Sequence, residues 1–192
     1  MQLLAPAKIN LFLQVVGRRE DGYHLLHSLF CCVGLYDTLD ISLTEAENRI
    51  LCDSKLVPAD ERNLALKAAL VFNGALSRKT SRAPSNVSIR LTKNIPVGAG
   101  LGGGSSDAAA VLLGLNQYYD GALSRDQLGE LALGLGADVP FFIHRHPSLV
   151  SGIGEHITPC PGVPPLGVVL IYPGFGISNS EVFKNLNFGL TK

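Results

Sequence analysis

Pro96-Val97-Gly98-Ala99-Gly100-Leu101-Gly102-Gly103-Gly104-Ser105-Ser106-Asp107-Ala108 is the densest signal in the sequence. Before it, Val87, Ile89 and Leu91 alternate with Ser88 and Arg90, the pattern of a strand with one buried face. After it, Ala108, Val111, Leu112 and Leu115 fall at i, i+3, i+4 and i+7, a helix with one apolar stripe. Five glycines in seven residues therefore join a strand to a helix. Glycine permits positive φ and lets another group approach the backbone N–H groups closely. A helix start adds unpaired N–H donors and the positive end of the macrodipole. Together they make a cradle for an anion, with phosphate the natural candidate. Ser105 and Ser106 can cap the helix, or bind phosphate oxygens and a bridging Mg²⁺.

The type of phosphate loop narrows by exclusion. A Walker A loop needs a lysine directly after its glycines, and none follows here. The His-Arg-Asp and Asp-Phe-Gly sequences of protein kinases are missing too. Gly98, Gly100 and Gly103 match G-x-G-x-x-G, but a dinucleotide site also requires an acidic residue ending a second strand about 20 residues on. Asp120 is near that spacing and follows a helix, not a strand.

Working outward, residues 8–16 alternate. Ile9, Leu11, Leu13 and Val15 are expected on a buried face, with Lys8, Asn10 and Gln14 on a polar one. Asp21-Gly22 is a hairpin-turn signal, and residues 25–35 and 38–44 read as two further strands. Asn63 can cap a helix carrying Leu64, Ala68, Val71 and Ala75. Ser124 and Gln127 form a capping box for another, which carries Leu128, Leu131 and Leu135 and is stopped by Gly134 and Gly136. Strand character returns at 166–172. Strands and helices mix without regular alternation, so the expected class is α+β with a mixed or mostly antiparallel sheet.

The chain has 192 residues, 46% of them apolar, and a formal net charge of zero. No basic face is implied, so an anionic ligand must be held by local geometry and nucleic acid is not an expected partner. Cys31, Cys32, Cys52 and Cys160 form no metal-binding spacing and read as reduced thiols of a cytoplasmic protein. The start lacks the basic n-region of a signal peptide, and no apolar run has the length of a membrane helix.

At this point the glycine loop resembles the second motif of the GHMP kinases, the family of galactokinase, homoserine kinase and mevalonate kinase. Ala5-Pro6-Ala7-Lys8-Ile9-Asn10-Leu11-Phe12-Leu13 is similar to the family's first motif. Asp21-Gly22-Tyr23-His24 and Leu135-Gly136-Ala137-Asp138-Val139-Pro140-Phe141-Phe142 resemble the branch that acts on a cytidylylated methylerythritol in the non-mevalonate route to isoprenoids. The resemblance implies a kinase that uses ATP, with Mg²⁺ bound to the nucleotide, to phosphorylate the C2 hydroxyl of that small molecule. It implies a GHMP N-terminal nucleotide-binding domain of the ribosomal protein S5 domain 2-like fold over 1–150. The incomplete start of a second α+β domain would follow over 151–192. A cytoplasmic monomer or weak homodimer, with no membrane partner, is the matching expectation.

The same resemblance assigns roles. Asp138 becomes the general base, although Asp-Val-Pro also suits a helix N-cap with proline in the first turn. Lys8 becomes its electrostatic partner, and Asn10 holds Lys8 or the substrate hydroxyl. Lys93, Pro96, Gly98, Gly100, Leu101, Gly102, Gly103, Gly104, Ser105 and Ser106 become nucleotide contacts. Tyr23 and Phe183 would stack on the cytosine and His24 would bond its edge. Asp107, read into the first turn of its helix, receives no chemistry beyond a water-mediated Mg²⁺ contact. The family's third glycine-rich motif has no counterpart before Lys192, since Gly174-Phe175-Gly176 is too short. The expectation is a C-terminally truncated chain that binds nucleotide weakly and turns over poorly.

Overall fold

A bent hairpin organises the molecule. In this computed structural model, which describes residues 1–22, 24–176 and 182, β1 (Gln2–Arg18) pairs antiparallel along nearly the whole of β2 (His24–Thr44). The turn between them carries Gly22 at φ 91°, as the Asp21-Gly22 signal required. Residues 25–35 and 38–44, expected as two strands, are one. Pro6 faces Tyr36 while Ala7 faces Val33, so a bulge absorbs Gly34 and Leu35 and the strand bends without stopping.

The exposures along β1 overturn its expected faces. Ala5 is fully buried in the core before the register shift, whereas after it Lys8 is 6% exposed and Leu11 and Leu13 are 38% and 46% exposed. Lys8 is buried because its N–H is tied to the Leu101 carbonyl of the glycine loop and its ammonium sits over the Phe30 ring, so the polar residue goes inside while the apolar ones beyond it stay exposed. Period-two reading cannot see such a contact, nor the further register shifts at Asn10/Phe12 and Val15/Gly17.

The other strands are β3 (Arg49–Cys52), β4 (Asn86–Thr92), β5 (Ser148–Gly152) and β6 (His156–Pro159). Their sheet order is β3-β4-β2-β5-β6, with β1 also on β2; among the described residues only β3–β4 is parallel. This is the mixed α+β architecture expected. β3, β5 and β6 went unread because four or five residues are too short for a period to show. The expected strand at 166–172 has no ladder partner among the described residues, and Val169 and Ile171 stand almost wholly exposed. An alternating apolar run is a strand only when another edge receives it. The expected 150/151 division falls inside β5.

Among the described residues, four helices cover the sheet: α1 (Leu64–Lys79), α2 (Gly103–Tyr118), α3 (Arg125–Leu135) and α4 (Val139–His144). Asn63 caps α1 by accepting the N–H of Ala65 at 2.9 Å. Ser124 and Gln127 form both bonds of the capping box on α3, which ends at Gly136. Leu39, Ile41, Ile89 and Leu91 of the sheet meet Phe72, Leu76, Leu112 and Leu115 of the helices in one core. Cys31 is buried, Cys32 is half-buried, and all four cysteines are free.

Candidate active site

The glycine loop runs from the end of β4 into α2 and keeps the geometry its composition called for. Gly98, Gly100 and Gly102 have φ of 74°, 73° and 70°, values that L side chains adopt only with strain. Gly102 is the N-cap of α2, so the helix begins at Gly103, earlier than the apolar stripe suggested. A Cβ on Gly102 would lie 2.9 Å from the Phe142 ring and 3.0 Å from Lys8 Cγ. The Lys8 N–H donates to the Leu101 carbonyl at 2.9 Å, tying β1 directly to the loop. A cleft of about 450 Å³ opens over this loop, lined by residues 95–105 together with Asn63, Lys93, Asp107 and Asp138. The first-turn N–H groups of α2 are those an α-helix leaves without internal partners.

Lys8 and Asp138, 130 positions apart in sequence, meet here: Lys8 Nζ lies 3.7 Å from Asp138 Oδ2. The Lys8 ammonium donates to Asn10 Oδ1 at 2.8 Å and sits 4.5 Å from the centroid of the Phe30 ring. Asn10 donates in turn to Ser28 Oγ at 2.7 Å, and Ser28 to the Phe12 carbonyl. Asn10 thus holds Lys8, one of its two expected roles. Burial pushes the Lys8 pKa below the ordinary lysine value, while Asp138 pulls it back up. Asp138 begins α4, yet its side chain makes no capping bond; φ −86° and ψ −14° keep it helical, and the carboxylate turns to Lys8 instead. The capping alternative is thereby set aside. The side chain of Asp138 remains 30% exposed and borders the cleft.

Lys93 was expected at the nucleotide as a turn lysine. Its side chain is only 5% exposed and is gripped by two carboxylates, Asp37 Oδ2 and Asp107 Oδ2, the latter at 2.8 Å. Burial opposes its charge, but Asp107 and Asp37 outweigh that and raise its pKa. Burial pushes the Asp107 carboxyl up to about 7 against the pull of Lys93, and nearby Asp37 pushes the same way. Asp107 lies past the first turn of α2, because the helix starts earlier than expected. Ser106, expected to cap α2 or bind phosphate, makes no cap bond and is fully buried with its hydroxyl unpartnered; Ser105 borders the cleft.

Of the three residues expected at the cytosine, His24 is the one that lies among the described residues. His24 is half-buried at the start of β2, where it pairs with Arg18 at the far end of the hairpin. Along the strand that is about 20 Å from Phe30, at roughly 3.3 Å per residue. Tyr23 and Phe183 lie outside the described residues. Asp37 and Ser28 were missed in the sequence. Asp37 sits where a strand break was expected, and nothing local marks an acid there as buried. Among the described residues no group of three metal-ligating side chains gathers, and no helix is long and apolar enough to cross a membrane.

Comparison with known proteins agrees with this geometry. Residues 63–146 match the model of the GHMP kinases N terminal domain. The chain is 46% identical over 184 residues to 4-diphosphocytidyl-2-C-methyl-D-erythritol kinase of Clostridium beijerinckii, covering 96% of this chain and 64% of that protein. It is 47% identical over 185 residues to the kinase of the same name from Syntrophotalea carbinolica, covering 95% of this chain and 64% of that one. A crystal structure of 4-(cytidine 5'-diphospho)-2C-methyl-D-erythritol kinase superposes with a TM-score of 0.80 at 41% identity, over 96% of this chain and 63% of the other. A mevalonate kinase structure, at TM-score 0.60 and 16% identity over 84% of this chain and 56% of the other, shares the fold. The chain spans about 64% of the length of the curated relatives it matches. With its glycine loop, its Lys8–Asp138 pair and these matches, the chain carries, over residues 63–146, the N-terminal domain of the GHMP kinases.

Proposed function

We propose that this chain belongs to an ATP-dependent kinase that phosphorylates the C2 hydroxyl of 4-diphosphocytidyl-2-C-methyl-D-erythritol, a step in isoprenoid precursor synthesis. The observation that carries the reading is the Lys8–Asp138 pair at 3.7 Å, beside a cleft floored by the glycine loop and the start of α2. The relatives' shared name supports the substrate.

The chemistry follows from what each group can do. Backbone N–H groups of the loop and of the first turn of α2 hold the phosphate oxygens of ATP and aim the terminal phosphoryl along the cleft. Asp138 accepts the proton of the attacking hydroxyl. The Lys8 ammonium, held by Asn10, stabilises the negative charge that develops on that oxygen and keeps Asp138 oriented. Phosphoryl transfer leaves little covalent work for the protein, so positioning and charge carry the rate. Mg²⁺ enters as part of the MgATP substrate, held by its phosphates, and no protein ligand is assigned to it. Tyr23, His24 and Phe183 are assigned to the cytosine by family resemblance. The second domain is proposed to begin beyond β6, with a cytoplasmic location and a monomer or weak dimer.

A kinase assay with the cytidylylated alcohol, run on the chain extended to the relatives' length, tests the proposal. ATP-dependent phosphate incorporation at C2, inhibited by CDP, is expected. Turnover of the substrate indifferent to CDP and CMP would point to a different GHMP alcohol. The 192-residue chain, assayed alongside, is expected to bind ATP weakly with little turnover.

A further inference from the structure

Two carboxylates on one buried lysine are more than a nucleotide contact needs. Asp37, fully buried within β2, accepts the N–H of Asn94 at 2.6 Å and that of Ile95 at 2.8 Å through Oδ1. Its Oδ2 accepts from Lys93 Nζ. Asp107, in α2, accepts from the same ammonium at 2.8 Å. The residues entering the glycine loop and the helix leaving it are therefore joined through one cation and anchored to the middle of β2. The fit is close: a Cβ on Gly103 would lie 3.1 Å from Lys93 Nζ and 3.3 Å from Asp37 Oδ2.

Electrostatics separates two roles for this lysine. A cation that neutralises a phosphate must have charge to spare. Lys93 is already faced by two carboxylates and withdrawn from solvent, so the triad presents no net positive charge to the cleft. The anion must instead be met by the loop amides and the start of α2. We infer that Asp37, Lys93 and Asp107 form an ionic latch that fixes the two ends of the glycine loop, making Lys93 a positioning residue that acts through the loop instead of on the nucleotide. The inference rests on the reading that this loop cradles nucleotide phosphates.

Removing the lysine alone leaves two facing buried carboxylates. Removing one carboxylate with it leaves Asp37, still holding the Asn94 and Ile95 amides, and no uncompensated pair. The test compares Lys93→Met with the double variant Lys93→Met/Asp107→Asn in the 192-residue chain. MgATP affinity is measured by calorimetry, and amide hydrogen exchange is followed at Asn94 and Ile95. The single variant is expected to bind MgATP roughly tenfold more weakly and to exchange those amides faster. The double variant is expected to return both to within about threefold of the parent. If Lys93→Met does not fold, folding of the double variant is the expected rescue, and its failure to fold overturns the latch. A double variant whose amides recover while its affinity stays as low as the single's makes Lys93 a nucleotide contact and overturns the inference. So does Lys93→Met with parental exchange and affinity. If the parent chain itself does not bind MgATP, the nucleotide reading falls, while the exchange comparison still decides whether the latch exists.

Discussion

At the residue scale, each charged group near the cleft has a physical reason for its place. Lys8 is buried and its charge is held against desolvation by Asp138 and Asn10, so neither partner is replaceable without leaving the other short. In a chain of the relatives' length, Asp138→Asn and Lys8→Ala are each expected to lower kcat by about 10²–10⁴-fold, measured by coupled kinase assay, with a smaller effect on the KM for ATP. Asp107 makes a prediction about pH. Its folded pKa of about 7 is higher than the ordinary 3.8, so the folded state binds the proton more tightly than the unfolded one. Stability from this group is therefore full below about pH 4 and declines as pH rises towards 7, with an upper bound of about 4 kcal/mol. Urea titrations at pH 5 and 8 should show the parent losing stability relative to Asp107→Asn, and a constant difference between the two would refute the assignment. Lys8 and Asp138 were legible as a pair because both lie in motifs, and the fold brings them to 3.7 Å. Asp37 was not, because its partners come from residues 93–95 and only folding brings them near.

At the element scale, caps and glycines carry the local code. Asn63 and Ser124 were readable as caps because a side-chain oxygen must meet an N–H two or three residues ahead, a relation internal to the segment. Ser124→Ala is expected to cost about 1 kcal/mol in chemical denaturation, through the loss of one side of the box on α3. α2 behaves otherwise: it starts at a glycine with positive φ and no side-chain cap, so its first N–H groups are left for a ligand instead of a hydroxyl. Gly102→Ala is expected to abolish detectable MgATP binding in calorimetry, since its methyl would press on the Phe142 ring and Lys8 from a strained backbone. Parental affinity in that variant would mean the loop does not hold the nucleotide. The strands were harder to read than the helices. The two-residue bulge that bends β2, and the contact of Lys8 with the distant glycine loop, leave no mark in composition, which is why β2 was split in two and the buried face of β1 was misread.

At the scale of the whole molecule, the long bent hairpin and the helices covering it share one core, and the site lies where β1, the glycine loop and α4 converge. Phe72 is fully buried in that core and stacks on Tyr119, so Phe72→Ala is expected to lower unfolding free energy by about 3–5 kcal/mol, read by thermal or urea unfolding. A drop below about 1 kcal/mol would mean the core is not continuous there. The α+β class, the helix caps, the glycine loop proposed to hold phosphate and the two residues proposed for proton transfer were all written in the sequence, because each depends on residues adjacent in the chain or on a motif read in order. The register of β1 on β2, the burial of Lys93 between Asp37 and Asp107, and the turning of Asp138 from its helix towards Lys8 were decided only by the tertiary structure. Those are pairings between distant segments, and their energies exist only once the sheet has chosen its register and water has been expelled from the space between them.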